Sequence, residues 1–69
     1  MNEQMKLRCD QLFKMGLMFN GQSYVGTKDN NNDVNFHYTE IQCDSDEQWD
    51  AKIEKTKTEL TRRGIEIEA

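Results

Sequence analysis

Proline is absent from this chain of 69 residues, and glycine occurs only four times. Without proline, no position forbids regular backbone, so elements should end mainly at glycines and at clusters of polar turn residues. Long apolar runs are also missing, whereas a membrane-spanning helix needs roughly 18 consecutive apolar residues. The first ten residues lack the apolar core of a secretory signal peptide. We therefore expect a cytoplasmic protein with no membrane segment.

Cysteine and histidine are scarce, which removes most local catalytic and metal-binding motifs. Cys9 and Cys43 have no CxxC neighbour, and we expect reduced thiols in a cytoplasmic setting. His37 is the only histidine, and it needs a partner brought close by folding before it acts as a base or a ligand. The glycines at 16, 21 and 26 match neither the phosphate-binding loop nor the dinucleotide-binding pattern. We expect no enzymatic activity and no cofactor.

The composition supports one small hydrophobic core. Apolar residues make up 35% of the chain and charged residues 32%. A chain of this length is near the lower limit for independent folding, so residues 1–69 should form a single domain.

The first segment with helical periodicity covers residues 2–15. Met5, Cys9, Leu12 and Phe13 recur on one face of a 3.6-residue period, which predicts the buried side of a helix. Asn2 suits the N-cap position, and the glycine at 16 suits a left-handed C-cap.

A longer helix is predicted from Ser45. Ser45 and Gln48 match a capping box, and Gly64 follows the last turn. The apolar stripe of this helix consists of Trp49, Ile53 and Leu60, and we expect Trp49 to be buried against a sheet. The remaining residues, 65–69, alternate apolar and acidic side chains and predict either an edge strand or a frayed end.

Between the two helices the period falls to two residues, which is typical of strands. Asn20 and Gly21 predict a hairpin turn, with a single strand bulged at Gly21 as the alternative. Further along, Val34, Phe36 and Tyr38 alternate with polar residues and predict a strand with one buried face, with His37 on the solvent side.

The element order predicts the fold class. A helix, then strands, then a helix, with no strand–helix–strand crossover, is typical of an α+β domain with an antiparallel sheet. We expect a β-hairpin or a three-stranded meander, with both helices on one face of the sheet.

The segment DNNNDVNFHYTE, residues 29–40, partly matches the ligand spacing of a calcium loop. The sixth position, however, is Val34, where the sharp turn needs glycine; a β-branched residue at positive φ is strained by roughly 1–3 kcal/mol. A strand from Val34 would also carry the last ligand about 20 Å away. We favour a polar turn between strands. The alternative is a weak divalent-metal (calcium) site formed by Asp29, Asn31, Asp33 and Glu40.

Charge is unevenly distributed. Residues 29–50 contain seven acidic residues and no lysine or arginine, and the whole chain carries a net charge of −4. Such a surface attracts a basic protein and repels a phosphate backbone. The candidate partner-binding residues are Asp44, Asp46, Glu47 and Asp50. A third, less favoured hypothesis is nucleic-acid binding through Lys52, Lys55, Arg62 and Arg63, which acidic residues on the same helix balance.

The sequence therefore favours a small, non-enzymatic protein-interaction or accessory domain with an acidic surface. Its partner is an unidentified protein, for which a basic surface is expected. Self-association into a homodimer stays open as an alternative.

Overall fold

Three helices and three short strands follow one another along residues 2–68, the part of the chain that the computed structural model describes. Their bounds are α1 Glu3–Lys14, β1 Leu17–Phe19, β2 Ser23–Gly26, β3 Asn35–His37, α2 Tyr38–Cys43 and α3 Asp46–Arg62. The strands form one antiparallel sheet in the order β1-β2-β3. The α+β fold with a three-stranded meander is confirmed, and α2 is an additional helix. Each helix within residues 2–68 is too short or too polar to span a lipid bilayer.

The Asn20-Gly21 segment forms a hairpin turn. Phe19 pairs with Tyr24, and the Asn20 N–H donates to the Ser23 carbonyl at 2.9 Å. The Asn20 side-chain oxygen accepts from two further backbone N–H groups of the turn, each at 2.9 Å. Gly21 has φ +103°, a conformation that glycine adopts without strain. The chain reversal places Phe19 and Tyr24 on the same face of the sheet.

Strand β3 is shorter than predicted, because the chain turns into α2 at Tyr38. Phe36 is buried and Val34 is half-buried, as expected for the inner face. Tyr38, predicted on that same buried face, is instead 39% exposed in the first turn of α2. A six-residue helix is too short to display a helical period in the sequence. It is stabilised by tertiary contacts, with Ile41 fully buried.

The core lies between the helices and one face of the sheet, so the prediction that the helices share a face is confirmed. Trp49 is 2% exposed, as predicted, and its ring meets Phe36 edge-on with centroids 5.4 Å apart. The opposite face of the sheet is largely exposed, and it includes Met18 on the edge strand β1. The buried apolar residues are Met5, Leu12, Met15, Leu17, Phe36, Ile41, Trp49, Ile53, Leu60 and Ile65.

The buried face of α1 differs from the predicted one at two positions. Met5 and Leu12 are buried and Cys9 is half-buried, as expected. Phe13, however, is 59% exposed, and Arg8 is only 3% exposed. Spacings of three and four residues place Met5, Arg8 and Leu12 in one stripe. Phe13 follows Leu12 directly and therefore lies about 100° away around the helix.

Arg8 is buried because its guanidinium finds partners on two other helices. Nη1 donates to the Ile41 carbonyl of α2 at 2.9 Å, and Nη2 donates to Oδ1 of Asp46 in α3 at 3.1 Å. The guanidinium also lies over the Trp49 ring, 5.0 Å from its centroid, where a cation is attracted by the π-face. One side chain of α1 thus joins all three helices.

The predicted caps of both long helices are confirmed. The Asn2 side chain accepts from the Met5 N–H at 2.8 Å. Ser45 and Gln48 form a reciprocal capping box. Gly64, the residue after the Arg63 C-cap of α3, has φ +83°, the left-handed conformation that glycine commonly adopts at this position.

Residues 65–68 are ordered against α1 rather than paired as an edge strand. Ile65 is buried, and Ile67 packs against the core. The Glu68 N–H donates to the Lys14 carbonyl at 3.2 Å, which satisfies one of the last carbonyls of α1. Ala69, the last residue of the predicted tail, lies outside the described residues.

We expect Ser45→Ala to lower the free energy of unfolding by about 0.5–2 kcal/mol, because the Gln48 N–H loses its 3.1 Å acceptor. Urea denaturation followed by circular dichroism measures the change. Thr58→Ala, at an exposed position inside α3, is the matched control and should cause no comparable loss. An unchanged midpoint for Ser45→Ala would contradict the role of this cap.

We expect Arg8→Ala to lower the free energy of unfolding by roughly 1–3 kcal/mol, because the buried Ile41 carbonyl loses its charged donor. Asp46→Ala removes the other end of the ion pair, but that side chain is 79% exposed, so its loss should stay below about 1 kcal/mol. The same denaturation experiment compares the two. An equal or larger loss for Asp46→Ala would show that the ion pair, not the carbonyl contact, matters.

Candidate partner-binding surface

Two of the four acidic residues proposed to bind a partner already have partners within the domain. Asp46 is bound to Arg8, as described above. Asp44 lies 2.7 Å from the Lys52 ammonium, and its side chain is largely buried. Hydrogen bonding to this carboxylate is the largest of the effects that raise the pKa of Lys52 above its ordinary value. A partner-binding role predicts an exposed Asp44 carboxylate, and that prediction is wrong because the side chain is turned inward to pair with Lys52.

The other two acidic candidates are exposed on α3. Glu47 and Asp50 take part in no ion pair within residues 2–68. Glu47 lies in the first turn of α3, where the helix dipole alone favours an acid. The acidic surface available to a partner is therefore smaller than the sequence suggested.

Internal pairing also involves most of the basic side chains proposed for nucleic-acid binding. Arg62 and Arg63 both bind Glu59, and Arg63 forms a second pair with Asp33, at 2.7 and 3.0 Å. Hydrogen bonding to Arg63 lowers the pKa of Asp33 below its ordinary value. Lys52 is paired with Asp44. Of the four basic residues proposed for nucleic-acid binding, only Lys55 therefore lacks an ion pair in the described part of the chain.

Three of the four oxygen ligands of the calcium alternative are directed to different partners. Asp33 binds Arg63, and Glu40 lies near Lys52 at 3.8 Å. These two basic residues are eleven positions apart on α3, or roughly 16 Å along the helix axis. Asn31 directs its side-chain oxygen to the Lys28 N–H at 2.7 Å. Within residues 2–68, no group of three or more His, Cys, Asp or Glu is arranged to hold a metal ion.

Asn31 instead organises the polar turn between β2 and β3. Its side chain is fully buried, and its carbonyl accepts from the Val34 N–H at 3.0 Å. The turn packs so closely on β2 that a Cβ on Gly26 would lie 2.0 Å from the Asn31 carbonyl oxygen. The close approach explains why glycine occupies that position.

The reactive side chains of the chain lie apart. Cys9 and Cys43 are both free thiols, one half-buried on α1 and the other exposed at the end of α2. His37 is exposed on the open side of β3, as predicted, and its Nδ1 lies 2.8 Å from Oγ1 of Thr39.

Three aromatic residues, two of them exposed and one half-buried, form a cluster at the surface. We call Phe19, Tyr24 and Tyr38 the aromatic patch. The Phe19 ring lies 5.3 Å from Tyr24 and 6.2 Å from Tyr38, measured between centroids. Phe19 is 47% exposed, so it is one of the most exposed large apolar side chains.

The chain segments that carry the aromatic patch contain no charged residue. Residues 15–27 and 34–39 contain no Asp, Glu, Lys or Arg, in a chain of which 32% is charged. Interaction with the Cys9 side chain, helped by partial burial, raises the pKa of Tyr24 to about 12. The Tyr24 phenol is therefore neutral at physiological pH, and none of the three rings of the patch carries a charge.

Sequence periodicity could not reveal this cluster, because two tertiary features create it. The hairpin turn places Phe19 beside Tyr24, whereas a single bulged strand would separate them. The early start of α2 brings Tyr38 out of the core and next to Phe19. The only sequence signal was the uncharged stretch itself.

A groove of about 500 Å³ lies between α1 and α3. Leu7 forms one side and is 60% exposed. On the floor, Trp49 donates its indole N–H to Oε1 of Gln11 at 2.8 Å. Asp50 and Lys57 both line the groove, so charges of both signs face it. The groove therefore favours neither an acidic nor a basic partner.

Comparison of the chain with protein-family models, with curated proteins and with solved structures finds no match. Proposals about function therefore depend on the surface chemistry described above.

We expect millimolar calcium to leave the melting temperature unchanged. A site with a dissociation constant of about 10 μM, at about 1 mM free calcium, would stabilise the fold by about 2.7 kcal/mol. In a domain of this size, that gain raises the melting temperature by on the order of 10 °C or more. Differential scanning calorimetry with calcium, and with magnesium as the control cation, measures the shift. A calcium-specific rise of that size, lost in Asp29→Ala, would establish a metal site in the turn.

Proposed function

We propose that this domain is a non-enzymatic protein-interaction module that binds a partner protein through the aromatic patch. The observation that carries the proposal is the contact of three aromatic rings at the surface of an uncharged region. Tyrosine and phenylalanine are enriched at protein interfaces, and charged residues are depleted from the centre of such interfaces. Both properties coincide at this patch.

The energetics also favour a protein partner. Complete burial of a phenylalanine side chain is worth about 1.5–3 kcal/mol, and Phe19 is only about half buried within the domain. Clusters of rings whose burial is incomplete in the monomer are typical anchors for a partner. Preorganisation also favours binding: ring contacts and the hairpin already hold Phe19 in place, so less conformational entropy is lost when a partner binds.

The chemistry of the patch defines the partner. It should present aliphatic or aromatic side chains to the rings and hydrogen-bonding groups to the tyrosine hydroxyls and turn amides. A strongly charged segment would lose hydration here without gaining an ion pair. Glu47 and Asp50 lie on α3 and can assist a basic partner only by long-range attraction, which affects the association rate. A second copy of the chain meets the same requirements.

The non-enzymatic part of the proposal is supported by the occupation of the reactive groups. His37 is hydrogen-bonded to Thr39, and Cys9 is half-buried on α1. Cys43 is exposed at the surface. Within residues 2–68, the hydrogen bonds of the His37 ring go to Thr39 and not to Cys43. Free thiols suit the reducing cytoplasm, where we place the domain.

The test begins with photo-crosslinking from position 19 and, as the control, from the exposed position 58 on α3. A protein crosslinked from position 19 alone is then purified and its affinity for the domain is measured by calorimetry. Analytical ultracentrifugation of the domain alone identifies the case in which the partner is a second copy. Crosslinking by itself supports nothing until the affinity measurements below agree with it.

We expect Phe19→Ala and Tyr38→Ala each to weaken the purified complex by about tenfold or more, because each removes a buried ring from the interface. Leu7→Ala, which removes an even more exposed apolar side chain outside the patch, should leave the affinity unchanged. The double variant Glu47→Lys with Asp50→Lys should alter only the association rate and its salt dependence. Normal affinity in the two ring variants, with binding lost in the charge-reversal variant, would overturn the proposal.

A further inference from the structure

We infer that His37 regulates the aromatic patch by pH, because its neutral imidazole caps the helix that carries Tyr38. This inference rests on the proposed function for its biological meaning, since the patch is the surface being regulated. The structural coupling between His37 and Tyr38 has its own readout and is tested separately.

The cap is a direct contact between the imidazole and the first turn of α2. His37 has an extended backbone, with φ −66° and ψ 146°, as N-cap residues do. Its Nδ1 accepts from the backbone N–H of Thr39 at 3.2 Å and lies 2.8 Å from the Thr39 hydroxyl oxygen. At the N-cap of α2, an imidazole nitrogen that can be protonated therefore accepts the hydrogen bond that a Ser, Thr, Asp or Asn oxygen usually accepts.

The contact fixes the tautomer. A backbone N–H can only donate, so Nδ1 carries no proton in this structure, and a neutral ring holds its proton on Nε2. Protonation of the ring places an N–H on Nδ1, facing the Thr39 N–H. The Thr39 hydroxyl can rotate and accept from the new N–H, but the backbone bond is lost.

Charge acts in the same direction. An imidazolium at the N-terminus of a helix opposes the helix dipole. The carboxylate in the first turn is Glu40, and it lies near the Lys52 ammonium, 3.8 Å away. Across the sheet, His37 pairs with Ser23, and the neighbouring side chain on its face of β3 is Asn35, so the strands bring no charged group to the ring.

The two ends of α2 differ in how they are held. The C-terminal half is anchored by the buried Ile41, whose carbonyl is bound by Arg8. At the N-terminal end, the Tyr38 N–H donates to the Gln22 carbonyl at 3.0 Å, which fixes the backbone on the hairpin side only. Loss of the cap therefore changes the torsions from Tyr38 onward, and these torsions set the position of the Tyr38 ring relative to Phe19.

The direction of the effect follows from the protonation state that the cap requires. The capped helix needs the neutral ring, so the intact patch is favoured at pH values above the titration of the imidazole. Acidification that protonates the ring should open the first turn of α2 and weaken partner binding. Because an N-cap contributes only a small free energy, its loss should lower the affinity for the partner by no more than about 30-fold.

The test is a nuclear magnetic resonance titration of the isotopically labelled chain between pH 8 and 5. The ring carbons of His37 report protonation, and the ring signals of Tyr38 and Phe19 report the patch. We expect the Tyr38 signals to shift with the same midpoint as the His37 signals. His37→Asn is the matched control, because an asparagine oxygen accepts from the Thr39 N–H but does not titrate. In that variant, the Tyr38 and Phe19 signals should stay constant over the whole range.

A third variant, His37→Ala, should show the low-pH signals of Tyr38 at every pH. Tyr38 signals that stay fixed while His37 titrates, or that shift equally in His37→Asn, overturn the inference. If that happens while Phe19→Ala still weakens the complex, the regulation fails and the proposed function stands. If Tyr38 follows His37 but the patch variants bind normally, the coupling stands and the proposed function fails.

Discussion

The Arg8 guanidinium lies where the three helices converge, and the arrangement of the whole domain depends on its contacts. It binds the Ile41 carbonyl of α2 and the Asp46 carboxylate of α3, and it stacks on the Trp49 ring. A buried cation without such partners would be strongly destabilising. The contacts with α2 and α3 therefore favour the arrangement in which Arg8 is buried. The fixed position of α2 in turn determines where the strand ends and where Tyr38 lies.

Charge pairing divides the surface into two regions of different character. The acidic residues 29–50 do not form one continuous acidic face, because Asp33, Asp44 and Asp46 bind Arg63, Lys52 and Arg8. The pairs are concentrated around α3 and its neighbours, whereas the sheet and its hairpin carry no charge. An uncharged aromatic surface on an otherwise highly charged small domain is suited to specific docking. The histidine that adjoins this surface connects it to pH.

Sequence periodicity predicted the elements that are long and locally capped. The helix from Ser45, the first helix, the hairpin turn and the burial of Trp49 are all confirmed, because each has several agreeing signals within a few residues. The prediction was wrong for Tyr38, for Phe13 and for the exposure of Asp44. In each case the deciding contact lies with a residue far along the chain or in an element too short to show a period. Of the candidate surface, only the uncharged stretch was visible in advance.

The sequence by itself determined the fold class, the helix ends and the absence of charge from residues 15–27, since these depend on residue type and local spacing. Tertiary structure decided which charges are neutralised, because an ion pair such as Arg63 with Asp33 joins residues thirty positions apart. It also decided that Arg8 is buried and Phe13 exposed, because a face of a helix becomes buried only when other elements pack against it. The aromatic patch is also a feature that only tertiary structure decided. Its rings come from three separate elements, and only the hairpin register and the early start of α2 bring them into contact.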